Sequence, residues 1–221
     1  MHFSDDRRDP HVRGFLHSPA SATNHALILT HGAGGNCNAP LLVALADTFC
    51  VHGYAVLRCD LPFRQERKTG PPFPGNAERD RAGLRNAVVA MRERFDGKIF
   101  LGGISYGGRQ STMLCAAEPQ LVAGLLLLSY PLHAPGKPDQ LRTQHLPNLR
   151  NPCLFVQGTR DPFGSIEEVQ KALSLIPAKN NLLSVESVGH DLGFKGKKAP
   201  PELPFRIFSA FQQVMSAAPG S

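Results

Sequence analysis

Gly103, Ile104, Ser105, Tyr106 and Gly107 centre a serine in a G-x-S-x-G pentapeptide, between the apolar run KIFLGG and the helical stretch RQSTMLCAAE. A hydroxyl attacks a carbonyl at neutral pH only when a base takes its proton. A tight strand-to-helix turn presents such a serine, with glycine two residues to either side so that neighbouring backbone can pack closely. The helix that follows directs its positive dipole end at charge developing beside Ser105. Taken alone, the same five residues also fit an ordinary turn in a chain with 21 glycines.

The rest of the chain supplies the partners. In a strand–elbow–helix layout the acid and then the histidine follow the serine. Of nine histidines only His133, His145 and His190 do so, and only His190, in VGHDLGF, has a strand pattern and plausible acids ahead of it. Asp161 closes the strand-like PCLFVQGTRD, where Gly158 permits a turn and Pro162 stiffens the exit. The run LLLLSY is followed by no carboxylate before Asp139, and Asp191, adjacent to His190, cannot easily reach round to its ring nitrogen. The expected roles are Ser105 as nucleophile, His190 as general base and Asp161 as the acid orienting it.

A tetrahedral oxyanion needs backbone N–H donors. Tyr106, directly after the serine, is one candidate. The other comes from the glycine-rich turn His31-Gly32-Ala33-Gly34-Gly35, with Ala33 favoured over Gly34. That turn lacks both the Lys-Ser/Thr ending of a phosphate loop and the G-x-G-x-x-G of a dinucleotide fold, so no nucleotide is expected there. His31 then reads as a packing or supporting residue.

These pieces need a scaffold, and the chain alternates short apolar runs with amphipathic stretches, as in a parallel sheet covered by helices. Strands are expected over 26–32, 54–62, 98–105, 123–131, 152–161 and 181–190, with VRGFLHSP as an edge strand before them. Helices are expected near 40–51, 77–95, 107–117, 165–175 and 203–216, with 68–76 as a Pro/Gly-rich loop beside the site. The 221 residues make one domain over 11–216, with a flexible tail at 1–10 and another at 217–221.

Composition narrows the function classes. A formal charge of +6 raises nucleic-acid binding, but the cations are interspersed with acids and match no nucleic-acid-binding motif. No apolar run approaches a membrane span and the first residues lack a secretory pattern, so a soluble, cytoplasmic chain is expected. The five cysteines form no CxxC pair and have no zinc spacing, and neither metal nor cofactor is expected.

HGAGG, GISYG, GTRDPFG and GHD, in that order, resemble the α/β-hydrolase family along nearly the whole chain. HGAGGNCNAPLLVALA followed by CDLPFRQERKTGPP is similar, more narrowly, to its dienelactone-hydrolase-like branch, whose relatives include the hydrolase-like domain of a histone-acetyltransferase complex subunit. The resemblance implies an eight-stranded, mostly parallel sheet with helices on both faces and cofactor-free hydrolysis. It departs from true dienelactone hydrolases in carrying serine where they carry cysteine.

About twenty residues separate the strands ending near Pro131 and starting near Pro152, too few for a helical lid domain. The site should be open, bordered by the loops HAPGKPDQLRTQHL and 63–76. Gly34, Phe63, Arg64, Phe163 and Phe194 are candidates to line it, with Phe73 on the same loops. Cations at Arg64, Arg67, Lys68, Arg160, Lys195, Lys197 and Lys198 could draw an anionic substrate. The leading expectation is hydrolysis of a small carboxylic ester or thioester, with activity falling in mild acid as an imidazole base protonates near pH ~6.5. A peptidase or acyltransferase with the same groups, and a non-catalytic interaction domain, are the competing readings; the oligomeric state is open.

Overall fold

The computed structural model describes residues 1–21, 24–196 and 199–216. Eight strands form one sheet in the order β1-β2-β4-β3-β5-β6-β7-β8. They span His2–Asp5, Val12–His17, Ala26–Thr30, Ala55–Cys59, Ile99–Ile104, Gly124–Leu128, Cys153–Gly158 and Asn180–Val185. β3 to β8 run parallel, while β2 pairs antiparallel with both β1 and β4. Parallel strands need crossover helices, which bury both faces and explain apolar runs such as ALILT and LLLL without polar alternation.

Successive side chains along each strand serve different layers. Ile28, Leu57, Leu101, Leu125 and Leu127 join one core with α3 (Asn76–Arg92), α4 (Tyr106–Ala117) and α5 (Ile166–Leu173). Leu27, Leu29, Val56, Leu126, Leu128 and Leu154 join a second with α1 (Pro40–Val51) and α6 (Leu203–Ser216). Ser165 and Glu168 form a reciprocal capping box at the start of α5, just past the Asp161 turn.

Three expectations need correction. Residues 1–10 are not a loose tail: β1 pairs with β2, Phe3 is buried, and Arg7 and Arg8 pair with Asp5 and Glu93. VRGFLHSP is consequently not the edge, because β1 lies outside it. Within 63–76 the chain first makes a short helix, α2 (Pro62–Glu66), opened by a proline at its first turn. Positions 217–221 and the lysines 197 and 198 lie outside the described residues.

Residues 129–152, between β6 and β7, contain a single 3-10 turn, Leu146–Asn148, and no lid helix. No helix among the described residues is long and apolar enough to cross a membrane.

Candidate active site

Ser105 follows β5 and precedes α4, with φ 50° and ψ −113°. A non-glycine residue at positive φ is strained, and such strain is typical of functional turns. The flanking glycines are sterically required. A Cβ on Gly107 would stand 2.5 Å from the His31 carbonyl oxygen, and one on Gly103 would stand 2.8 Å from that of Thr30. The serine turn and the HGAGG turn after β3 are thus in direct backbone contact.

Asp161 leaves the end of β7 and His190 the turn after β8. His190 Nε2 lies 2.8 Å from Ser105 Oγ, and His190 Nδ1 lies 2.8 Å from Asp161 Oδ2. The second carboxylate oxygen, Oδ1, accepts from the Phe163 N–H at 2.9 Å, and Oδ2 also accepts from Gln157 Nε2 at 3.0 Å. Asp161 is therefore held by three donors, and its side chain is 0% exposed against 25% for His190. Phe163 stacks on the imidazole with ring centroids 4.1 Å apart. Gly158 matters for a reason beyond turning the chain: its Cβ would meet the Val188 carbonyl at 2.4 Å, so only glycine lets the strand carrying Asp161 approach the segment carrying His190.

The HGAGG turn is anchored through its carbonyls. Gly32 O accepts from His31 Nδ1 at 2.8 Å and from the Gly35 N–H at 3.1 Å. Ala33 O accepts from Arg64 Nη2 at 2.9 Å and Gly35 O from Arg64 Nε at 2.7 Å. Because a trans peptide points its C=O and N–H in opposite directions, the N–H groups of Ala33 and Gly34 face away from these anchors. Ala33, Gly34 and Tyr106 all border the cavity over Ser105.

That cavity measures about 610 Å³ and takes in Ser105, His190, Phe163, Phe194, Ile104 and Leu41 among its walls. Of the residues expected to line it, Gly34, Phe163 and Phe194 do so. Phe63 and Arg64 do not, and both belong behind the site. Phe63 is buried edge-on between His31 and Tyr106, its N–H donating to Asp80. Arg64 is buried with four backbone carbonyls, those of Ala33, Gly35, Arg67 and Gly70. Phe73 is exposed beneath the Arg67 guanidinium. The loop 63–76 is replaced as a border by Ala39, Pro40 and Leu41 at the start of α1, whereas the loop after β6 contributes Pro131 and Arg142.

Of the expected cations among the described residues only Lys195 lines the cavity; Arg64, Arg67, Lys68 and Arg160 do not. Arg109 and Arg142 do, and neither was anticipated as a site residue. Arg109 was detectable, since it stands four residues after Ser105, in the first turn of the helix that the serine opens. Gln157 and Asp80 were also missed. Asp80 accepts from the Tyr106 hydroxyl at 2.7 Å, and burial raises its carboxyl above the usual range despite that bond. Asp191 plays the loop role expected of it, accepting from the N–H groups of Gly193 and Lys195. All five cysteines are free thiols, and the described residues contain no cluster suited to a metal ion.

Solved structures share this architecture. A dienelactone hydrolase from Anabaena variabilis superposes with a TM-score of 0.75 at 19% identity, covering 97% of this chain and 97% of that one. A serine hydrolase without a lid from Xanthomonas campestris gives 0.74 at 17% identity, covering 99% and 96%. A serine hydrolase homologue from Coxiella burnetii gives 0.74 at 19%, covering 95% and 96%. At these identities the likeness is one of fold. The model of the alpha/beta hydrolase domain matches residues 23–214, and the chain belongs to the alpha/beta hydrolase family.

Proposed function

We propose that this protein is a serine hydrolase that cleaves a small carboxylic ester or thioester through an acyl-enzyme on Ser105. The observation that carries the reading is the unbroken relay from Asp161 through His190 to Ser105, with both links at 2.8 Å, opening on the cavity. His190 Nε2 takes the proton as Ser105 Oγ attacks the carbonyl carbon, and Asp161 holds the Nδ1–H tautomer and the imidazolium that forms. The N–H groups of Ala33 and Tyr106 receive the oxyanion. His190 then protonates the leaving alcohol or thiol, and water, activated by the same base, releases the acid. None of these steps calls on a metal or cofactor.

Apolar walls at Ile104, Leu41, Phe163 and Phe194 suit a small acyl group. Buried free thiols fit a reducing compartment such as the cytoplasm.

The test is p-nitrophenyl acetate turnover with intact-mass analysis. The expected result is a burst of p-nitrophenolate and a transient acetyl adduct on Ser105, absent from Ser105→Ala. Preferred transfer of the acetyl group to an added amine or alcohol would mark an acyltransferase. A folded protein that forms no adduct would overturn the hydrolytic reading in favour of a non-catalytic domain.

A further inference from the structure

The cavity holds two arginines that the reaction above does not use. Arg109 lies one turn beyond Ser105 on α4, its N–H donating to the Ser105 carbonyl at 2.9 Å. Arg142 comes from the segment between β6 and β7, where Nη1 donates to the Pro131 carbonyl at 3.2 Å. Both line the cavity together with Ser105. Arg109 Nε is buried with no hydrogen-bond partner. No carboxylate pairs with either guanidinium among the described residues, whereas Arg7, Arg8, Arg13, Arg79, Arg85 and Arg206 each hold one.

The neighbouring groups do not compensate these charges. Burial and the Arg109 charge push His145 down to about 4, so it is neutral near pH 7. Burial pushes the Tyr130 hydroxyl up to about 12, and it donates to the Arg142 carbonyl oxygen. Burial, with the Arg109 charge second, also lowers Arg142 from its ordinary value, as expected for two cations facing one space. Among the described residues the other charged groups on the cavity wall are Lys195 and Asp191, and Asp191 forms no ion pair with either arginine, its oxygens accepting from the Gly193 and Lys195 N–H groups. A pair of partly buried cations without a counter-ion is costly unless an anion arrives with the ligand.

We propose that Arg109 and Arg142 form a subsite for a carboxylate carried by the substrate, so that the favoured substrates are half-esters of short dicarboxylic acids. A guanidinium fork matches a carboxylate in plane and charge, which suits two arginines on the wall of one cavity. Both arginines share one cavity of about 610 Å³ with Ser105, which favours a short spacer between the anion and the carbonyl attacked by Ser105. In the reaction the acyl–oxygen bond breaks, water supplies hydroxyl to the acyl carbon and a proton to the leaving alkoxide, and the dicarboxylic acid is released. The assignment rests on the reading of Ser105 as nucleophile, and the subsite is tested separately from it.

Two measurements do this. The first compares kcat/KM for p-nitrophenyl hydrogen glutarate with that for the neutral p-nitrophenyl valerate. The protein is expected to favour the anionic ester by about tenfold or more, and Arg109→Gln and Arg142→Gln each to cut that preference about tenfold, chiefly through KM. The second titrates glutarate into the Ser105→Ala protein by calorimetry, which needs no nucleophile. Binding should weaken with added salt and by about tenfold when either arginine is also replaced.

Equal turnover of the two esters together with no glutarate binding would overturn the subsite. So would binding that survives both arginine replacements, or methyl phosphate binding more tightly than glutarate. Arginine-dependent glutarate binding by a protein that cleaves neither ester would keep the anion subsite and refute the hydrolytic reading beneath it.

Discussion

His190 and Asp161 join the ends of the adjacent strands β8 and β7, and His31 and Asp60 join the ends of the adjacent strands β3 and β4. In each pair an imidazole nitrogen faces a carboxylate oxygen, at 2.8 Å in the first and 3.5 Å in the second. What separates them is the other ring nitrogen. His190 turns Nε2 to Ser105 and keeps a quarter of its side chain exposed, 25%. His31 is 0% exposed. Its Nε2 accepts from the Leu61 N–H at 3.1 Å while Nδ1 faces the Gly32 carbonyl at 2.8 Å. An acceptor at Nε2 requires the proton on Nδ1, so the His31 ring is locked as one neutral tautomer with no proton directed at Asp60. Burial, the leading influence, lowers its pKa and favours the same state. A nearby carboxylate is common to both histidines; only His190 directs its second nitrogen at a hydroxyl, as the proposed base must.

The comparison breaks most sharply on substitution of the two histidines. His190→Gln should lower kcat/KM by about 10⁴-fold or more with little loss of stability. His31→Gln should do the reverse, costing roughly 1–3 kcal/mol of stability by disturbing the buried bond to Leu61, while most activity per folded molecule survives. Urea unfolding and ester kinetics on both variants check this. A smaller effect is expected behind the HGAGG turn, the proposed oxyanion site. Arg64→Met leaves the carbonyls of Ala33 and Gly35 without their donor, and activity should fall about tenfold, in kcat more than KM.

The smallest effect concerns pH and stability. Burial lowers the folded pKa of His31 and brings that of His145 to about 4. The unfolded chain, with histidine pKa near ~6.5, then binds more protons than the folded one, so stability declines as pH falls from about 6.5 towards 4. His31→Gln should flatten that decline below about pH 6.5, and denaturation midpoints followed downward from that pH measure it.

Much of the site was legible in the chain because its parts are local. Ser105, Asp161 and His190 each follow an apolar strand, and their order along the chain singled out the three side chains that lie within hydrogen-bond distance of one another. Phe63 and Arg64 were misread as loop residues lining the pocket. Their positions depend on contacts made by distant residues: Asp80 on α3 takes the Phe63 N–H, and the HGAGG carbonyls take the Arg64 guanidinium. Nothing in the residues around position 63 announces those partners. The same holds for Gly158, whose need for glycine comes from the carbonyl of Val188 crossing it. The first strand was hidden by its brevity, with only Phe3 and Asp5 buried in HFSD.

The most direct test is the rate at which a fluorophosphonate labels the folded protein, read by intact mass and by the modified peptide. The account predicts rapid, stoichiometric modification of Ser105, abolished in His190→Gln and retained in His31→Gln. Labelling that is absent from the folded wild-type protein, or that persists without His190 and disappears without His31, would contradict it.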